Sequence, residues 1–209
     1  LSKPEKPGTL GGLMAEYRAS PEFAAKADAT RADYLDVMDW LAAIGDIPLA
    51  RFDTPFVMKI RDKAFKKHKR RFANYVLAVL SILFNWGIPR GLTTGNPVEK
   101  AEKVAKPRNA RVVNRPWTAD ELDVVLAEMP AELAVAVALG AYAGIRQGDV
   151  ILLPWSAYDG DVIESRAAKT GEPIWVAAHR ELRRILDGTR RRSTVIVVGA
   201  RGKPFTGNG

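Results

Sequence analysis

Gly140-Ala141-Tyr142-Ala143-Gly144-Ile145-Arg146-Gln147-Gly148-Asp149-Val150 is the segment whose residue types and spacing best support chemistry. An apolar helix candidate ends at a glycine and Arg146 follows at once, at the mouth of the next helix. A guanidinium held on a rigid element can grip two non-bridging phosphate oxygens bidentately, and Asp149, three residues on, can orient it or cap the helix. The same residues also read as a surface arginine and aspartate forming a weak i,i+3 pair. Lys169-Thr170-Gly171 matches the K-T-G of serine β-lactamases, but no S-x-x-K occurs in the chain, so that reading is rejected. Taken alone, Lys169 is an exposed lysine in a hairpin turn.

Other chemistries find no support. Neither G-x-x-x-x-G-K-[ST] nor G-x-G-x-x-G is present, which removes the usual phosphate-cradling loops. The chain has no cysteine, hence no disulfide, thiolate nucleophile or cysteine-based metal site, and a reducing cytosol fits. Two histidines, His68 and His179, without an H-E-x-x-H, leave no His-rich metal centre, so no metal and no cofactor are expected. His68 and Arg71 spell H-x-x-R, read as coincidence within a basic stretch. A net charge of +8 points to a polyanion, nucleic acid first. Between Lys59 and Arg71 stand eight cations against one acid, Asp62.

The elements that must hold these groups follow from periodicity. From Thr9 to Trp86 apolar residues recur at helical spacing, as in Tyr34, Val37, Leu41, Ile44 and in Phe72, Val76, Val79, Leu83, Trp86. Thr30 with Asp33 reads as a capping box opening a helix that runs to Gly45. Thr54-Pro55 places a cap before an N1 proline, opening a helix over about residues 53–66. The stretch Gly87 to Pro97 closes a bundle of four or five helices. At Trp117 a second start signal combines a Thr118/Glu121 capping box with a Trp117/Leu122 staple. The helix over about 131–143 is apolar nearly all round and is expected to be buried. Residues 161–166 and 173–176 read as strands joined by the Lys169 turn, followed by a helix over about 178–187 and a third strand over 194–198.

The expected organisation is a tail at 1–8, an all-α domain at 9–98, a basic linker at 99–116 and an α+β domain at 117–209. The uncharged run Leu133 to Ile145 spans 13 residues, short of the ~18 needed to cross a bilayer, and no membrane is expected. A start at Leu1 without a signal peptide, and a turn-like end directly after a strand candidate, suggest a fragment.

The Arg146 segment resembles the T-G-x-R-x-x-E/D box of the tyrosine recombinase (phage integrase) family, with Asp149 where Glu is commoner. The resemblance runs along nearly the whole chain. Tyr34, the stretch Asn74 to Trp86 and Gly95-Asn96-Pro97 are similar to the family's core-binding, SAM-like domain. Leu152-Leu153-Pro154-Trp155 is similar to its L-x-W segment, and Arg166 to Gly171 falls where the family carries a lysine hairpin. The fold implied is mainly α: a SAM-like helical bundle, then a truncated α+β catalytic domain with a small antiparallel sheet.

By that resemblance Arg146 would be the first catalytic arginine, Lys169 the general acid and Asp149 a supporting residue. The partner would be double-stranded DNA at attachment-type sites, gripped by two domains closing as a C-shaped clamp. Candidate phosphate contacts are Lys66, Lys67, Lys69, Arg70, Arg71, Arg108 and Arg111; each also reads as a solvated surface charge. The resemblance implies a tetramer on paired DNA in the full-length protein, DNA-bending accessory proteins, and action in the bacterial cytoplasm at the nucleoid, for an integrase of a prophage or other mobile element. The family also needs an H-x-x-R and a tyrosine nucleophile downstream of the lysine, and beyond Lys169 this sequence has His179, which begins His-Arg-Glu-Leu, and no tyrosine. The chain as given is therefore expected not to cut DNA. The rival from another class is a non-cleaving DNA-binding regulator derived from an integrase, and the gene beyond Gly209 separates the two. A helical RNA-binding protein is weaker, lacking aromatic RNP-type strands. Trp117, Trp155 and Trp175 are read as core or staple residues, and Arg190-Arg191-Arg192 as a backbone contact or helix cap.

Overall fold

Thr9 opens the first helix by accepting the Gly12 N–H at 3.3 Å, the bond a helix start needs for one of its orphan donors. The structure, a computed structural model, describes residues 6–109 and 115–205. It divides into two units, Leu1–Arg111 and Val112–Gly209.

The first unit is all helical: α1 (Leu10–Arg18), α2 (Pro21–Ala24), α3 (Asp28–Leu41) and the long α4 (Thr54–Gly87). Its core is the stripe Val76, Leu80, Leu83 and Phe84 of α4 against Leu10, Leu13 and Tyr17 of α1 and Val37 and Leu41 of α3. Each fully buried leucine contributes about 1.5–3 kcal/mol of transfer free energy. Tyr17 meets Trp86 edge to face at 5.4 Å.

Two caps differ from the sequence expectation. Thr30 lies inside α3, which starts at Asp28 after Ala27 with no side-chain cap; Asp28 instead pairs with Arg31 and places a negative charge in the first turn. At α4 the cap is Asp53, which accepts the Phe56 N–H at 2.7 Å, while the Thr54 hydroxyl donates to the Pro97 carbonyl at 2.9 Å. The two helices expected on either side of the basic run are both present, as the two helical segments of α4 that meet at a kink at Lys69, whose φ of 68° and ψ of −175° are non-helical. The 18 residues from Phe72 to Pro89 are uncharged. This longer run makes α4, with the turn after it, long and apolar enough to cross a membrane by length and composition. Here its apolar face is spent on the first unit's core.

The chain leaving α4 is laced back onto it. Asn96 donates to Ser81 Oγ at 2.8 Å and accepts the Val98 N–H at 2.9 Å, which is what the Gly95-Asn96-Pro97 turn does physically. Ala101 and Val104, within the stretch expected to be linker, pack on the same core.

The second unit holds α5 (Ala119–Glu128), α6 (Ala131–Ala143), α7 (Gln147–Val150), the strands β1 (Val162–Arg166) and β2 (Pro173–Ala177), and α8 (Arg180–Asp187). The Thr118/Glu121 capping box forms in both directions. The strands are antiparallel with Glu164 opposite Trp175. Leu139, Leu153, Trp155, Ile163 and Leu182 centre the core.

Three expectations are corrected in this unit. Only one face of α6 is buried, through Ala134, Val135, Ala138 and Leu139, and Leu133 is exposed, because its neighbours α8, α5 and α7 leave the Leu133 side open. Trp117 and Trp175 are 54% and 65% exposed, so of the three tryptophans only Trp155 is core. Thr194 to Val198 does not join the sheet. It meets Pro154 in one isolated bridge, with Trp155 N–H to Thr194 O and Ile196 N–H to Leu153 O at 2.9 Å each; the ladder stops there because the Leu153 N–H turns back to the Val150 carbonyl at 3.4 Å and Trp155–Ala157 form a 3-10 turn.

Candidate nucleic-acid interface

Gly144 ends α6 in the left-handed region at φ 64°, a conformation glycine adopts without strain. Ile145 is then buried, which fixes the chain, and Arg146 occupies the N-cap position of α7 with an extended backbone. The Arg146 carbonyl accepts the N–H groups of Asp149 and Val150 at 2.9 Å each. The Arg146 side chain is exposed and makes no hydrogen bond or ion pair among the described residues.

Asp149 does something other than orient that guanidinium. Only 8% exposed, it accepts the Ala168 N–H on Oδ1 at 2.8 Å. Ala168 precedes Lys169 in the turn between β1 and β2. That turn is closed by Gly171 N–H to Ala167 O at 2.8 Å and Ala167 N–H to Glu172 O at 2.9 Å, with Gly171 at φ 72°. Buried Ala167 roots it, and Lys169 projects from it exposed. The structure thus ties the Arg146 turn to the Lys169 turn through the buried Asp149 side chain, and both cationic side chains are without a partner among the described residues.

In the first unit Lys66, Lys67, Lys69, Arg70 and Arg71 are all exposed and carry no ion pair among the described residues. Lys69 marks the break in α4. Arg61, in the same run, is committed elsewhere: it pairs with Asp62 and donates to the Glu102 carbonyl at 2.6 Å. Arg108 is exposed, and Arg111 lies outside the described residues. His68 packs its ring on Phe72 at 4.4 Å, beside Trp40. A groove of about 640 Å³ is lined by Asp33, His68, Arg71, Phe72, Asn74, Tyr75 and Lys103. Lys103 is absent from the sequence-derived candidates; its charge is visible in the sequence, but not the packing that brings it beside Arg71.

The arginines after α8 are largely structural. Arg191 lies over the Trp155 ring at 4.6 Å, and Arg192 bonds Glu132 at 2.9 Å and the Ala200 carbonyl at 3.2 Å. Backbone bonding first, and Arg192 next, hold the Glu132 carboxyl below its ordinary range. Among the described residues no cluster of three or more His, Asp or Glu side chains could hold a metal ion.

All five tyrosines have phenols raised above their ordinary value, burial being the largest cause in each. Tyr17 and Tyr158 are pushed up to about 12. The Tyr158 hydroxyl lies 3.0 Å from both Asp187 Oδ1 and the Gly160 carbonyl.

No protein-family model and no curated protein sequence matches this chain. Solved structures do. A lambda integrase dimer bound to a COC′ core site superimposes with a TM-score of 0.78 at 22% identity, covering 95% of this chain and 76% of that one. A lambda integrase tetramer bound to a Holliday junction gives the same TM-score and identity, with 62% of its chain covered. The Tn1549 transposon integrase in complex with circular intermediate DNA follows with a TM-score of 0.71 at 14% identity, covering 95% of this chain and 73% of that one. This chain therefore has the fold of the lambda and Tn1549 integrases.

Proposed function

We propose that this chain binds double-stranded DNA and contributes two catalytic cations to a tyrosine-type site-specific recombinase. The observation that supports this most is the Asp149 bond to Ala168, which couples the turn bearing Arg146 to the turn bearing Lys169, in a fold shared with integrases solved on DNA. In the reaction a tyrosine oxygen attacks the scissile phosphorus, the bond to the 5′ oxygen breaks, and a 3′-phosphotyrosine forms. Arg146 holds the non-bridging oxygens as negative charge builds, a contribution on the order of 10²-fold or more in rate. Lys169 gives its proton to the departing 5′ oxygen. The phosphotyrosine conserves the bond energy, so neither metal nor cofactor takes part. The exposed cations Lys66, Lys67, Lys69, Arg70, Arg71 and Arg108 neutralise backbone phosphates, and Arg111, outside the described residues, is assigned the same part from the sequence. The proposal extends to attachment-type sites, tetramer formation on paired DNA with DNA-bending accessory proteins, and action in the bacterial cytoplasm.

A second reading, a DNA-binding regulator that does not cut, is favoured by the tyrosines. Tyr142 and Tyr158 both precede Lys169 and both have raised phenols, which makes them poor nucleophiles. The nucleophile of the first reading must then come from outside this sequence. A nicked duplex incubated with the gene product separates the two. A trapped covalent protein–DNA adduct that Arg146→Ala reduces by 10²-fold or more supports the recombinase. Tight duplex binding without any adduct supports the regulator.

A further inference from the structure

We infer that the groove between α4 and the chain segment Glu102–Val104 seats one phosphodiester of the DNA backbone between Arg71 and Lys103, and that Asn74 is the positioning residue for this seat. The inference rests on the DNA-binding reading above and adds to it a site and two residues.

Segment Glu102–Val104 has no secondary structure of its own, yet it is pinned to α4 on both sides of Lys103. On one side Arg61 donates to the Glu102 carbonyl at 2.6 Å. On the other, the Asn74 amide makes a two-way bond with Val104: Nδ2 donates to the carbonyl at 3.1 Å, and Oδ1 accepts the N–H at 2.8 Å. Val104 also packs on the core. A side chain that satisfies both polar groups of one residue replaces a strand partner, and it fixes the neighbouring Cα much as a ladder would. Lys103 is thereby held on the same groove as Arg71, three residues before Asn74 on α4.

The chemistry of the groove selects an anion with an apolar flank. Arg71 and Lys103 have no ion-pair partner among the described residues. Asp33 is the one acid lining the groove, and against two cations it leaves a net positive charge even with His68 neutral. Phe72 and Tyr75 supply a flank suited to the sugar beside a phosphate. A planar guanidinium and a point ammonium from two separate segments can reach different oxygens of one phosphate.

The test is duplex binding by the full 209-residue chain as a function of salt, with Lys103→Ala, Asn74→Ala and the double variant. Lys103→Ala should reduce the magnitude of the log–log salt slope by about 0.9 and weaken binding about fivefold near 0.1 M salt. Its melting temperature should stay that of the parent, because the side chain is exposed. Asn74→Ala should lose a similar factor without touching DNA, and the double variant should be no weaker than the weaker single one. Wild-type slope and affinity for Lys103→Ala would overturn the inference, as would fully additive losses. If the parent chain fails to bind duplex at all, the DNA-binding reading fails with it; parent binding that ignores Lys103 overturns this inference alone.

Discussion

The carboxylate of Asp149 accepts the backbone N–H of Ala168 at 2.8 Å, joining α7 to the tip of the β1–β2 hairpin across 19 residues of sequence. Asp149 is buried, so leaving this bond unmade would cost its side chain the water it has given up. It holds the Lys169 turn at a fixed place relative to the Arg146 turn.

Removing that acceptor should therefore loosen the hairpin selectively. Asp149→Ala is expected to cost about 1–3 kcal/mol in urea unfolding, and Asp149→Asn, which keeps an acceptor, noticeably less. The Ala168 amide should lose hydrogen-exchange protection in both variants, with the larger loss in the alanine one. Unchanged protection at Ala168 would mean that the bond holds nothing.

Acid should weaken both units over the same interval. The Glu22 carboxyl, bonded at its own backbone N–H and by Trp86 and Arg90, and the Glu121 carboxyl, bonded by Arg115 and the Thr118 N–H, are each lowered from 4.5 to about 2. A carboxyl depressed in the folded state stabilises above its unfolded value and loses that contribution as pH falls towards the folded one. Urea midpoints measured between pH 6 and 2 should hold down to about 4.5 and then decline, with Glu121→Gln flattening part of the decline.

Lys69 is the one non-glycine residue among those described with a positive φ, at 68°. Lys69→Gly should relieve that conformation and raise stability by about 1 kcal/mol, whereas Lys69→Ala should not. Both should weaken DNA binding through the removal of a positive charge. A thermal melt in which glycine and alanine behave alike would contradict the strain.

Much of the fold was legible because its signals are local. The Thr118/Glu121 box, the strand pair around Lys169 and the stop at Gly144 each depend on residues within a few positions of one another. What was misread depends on partners distant in sequence. Thr30 is the local exception: it has the right type for a cap, but α3 already starts at Asp28, after Ala27, with no side-chain cap. Thr194 to Val198 is strand-like, yet the segment it meets at Pro154 is extended for too few residues, between a turn back to Val150 and the 3-10 turn Trp155–Ala157, to carry a ladder. Trp175 looks like core until the register places it opposite Glu164 on the open face of a two-stranded sheet. For the site, residue order brought out Arg146, Asp149 and Lys169, while the role of Asp149 as a tie to Ala168 needed coordinates. Lys103 escaped notice because its place beside Arg71 is set by Asn74, a side chain–backbone pairing with no sequence signature.

The central claim, duplex DNA bound through phosphate neutralisation, is tested most directly by fluorescence anisotropy of a labelled duplex across a salt series. The chain is compared with a variant carrying alanine at Lys66, Lys67, Lys69, Arg70 and Arg71. Log affinity should fall linearly with log salt, and the magnitude of the slope should drop by about 0.9 for each phosphate no longer neutralised. Absence of binding at low salt, or a slope that the five substitutions leave unchanged, would contradict it.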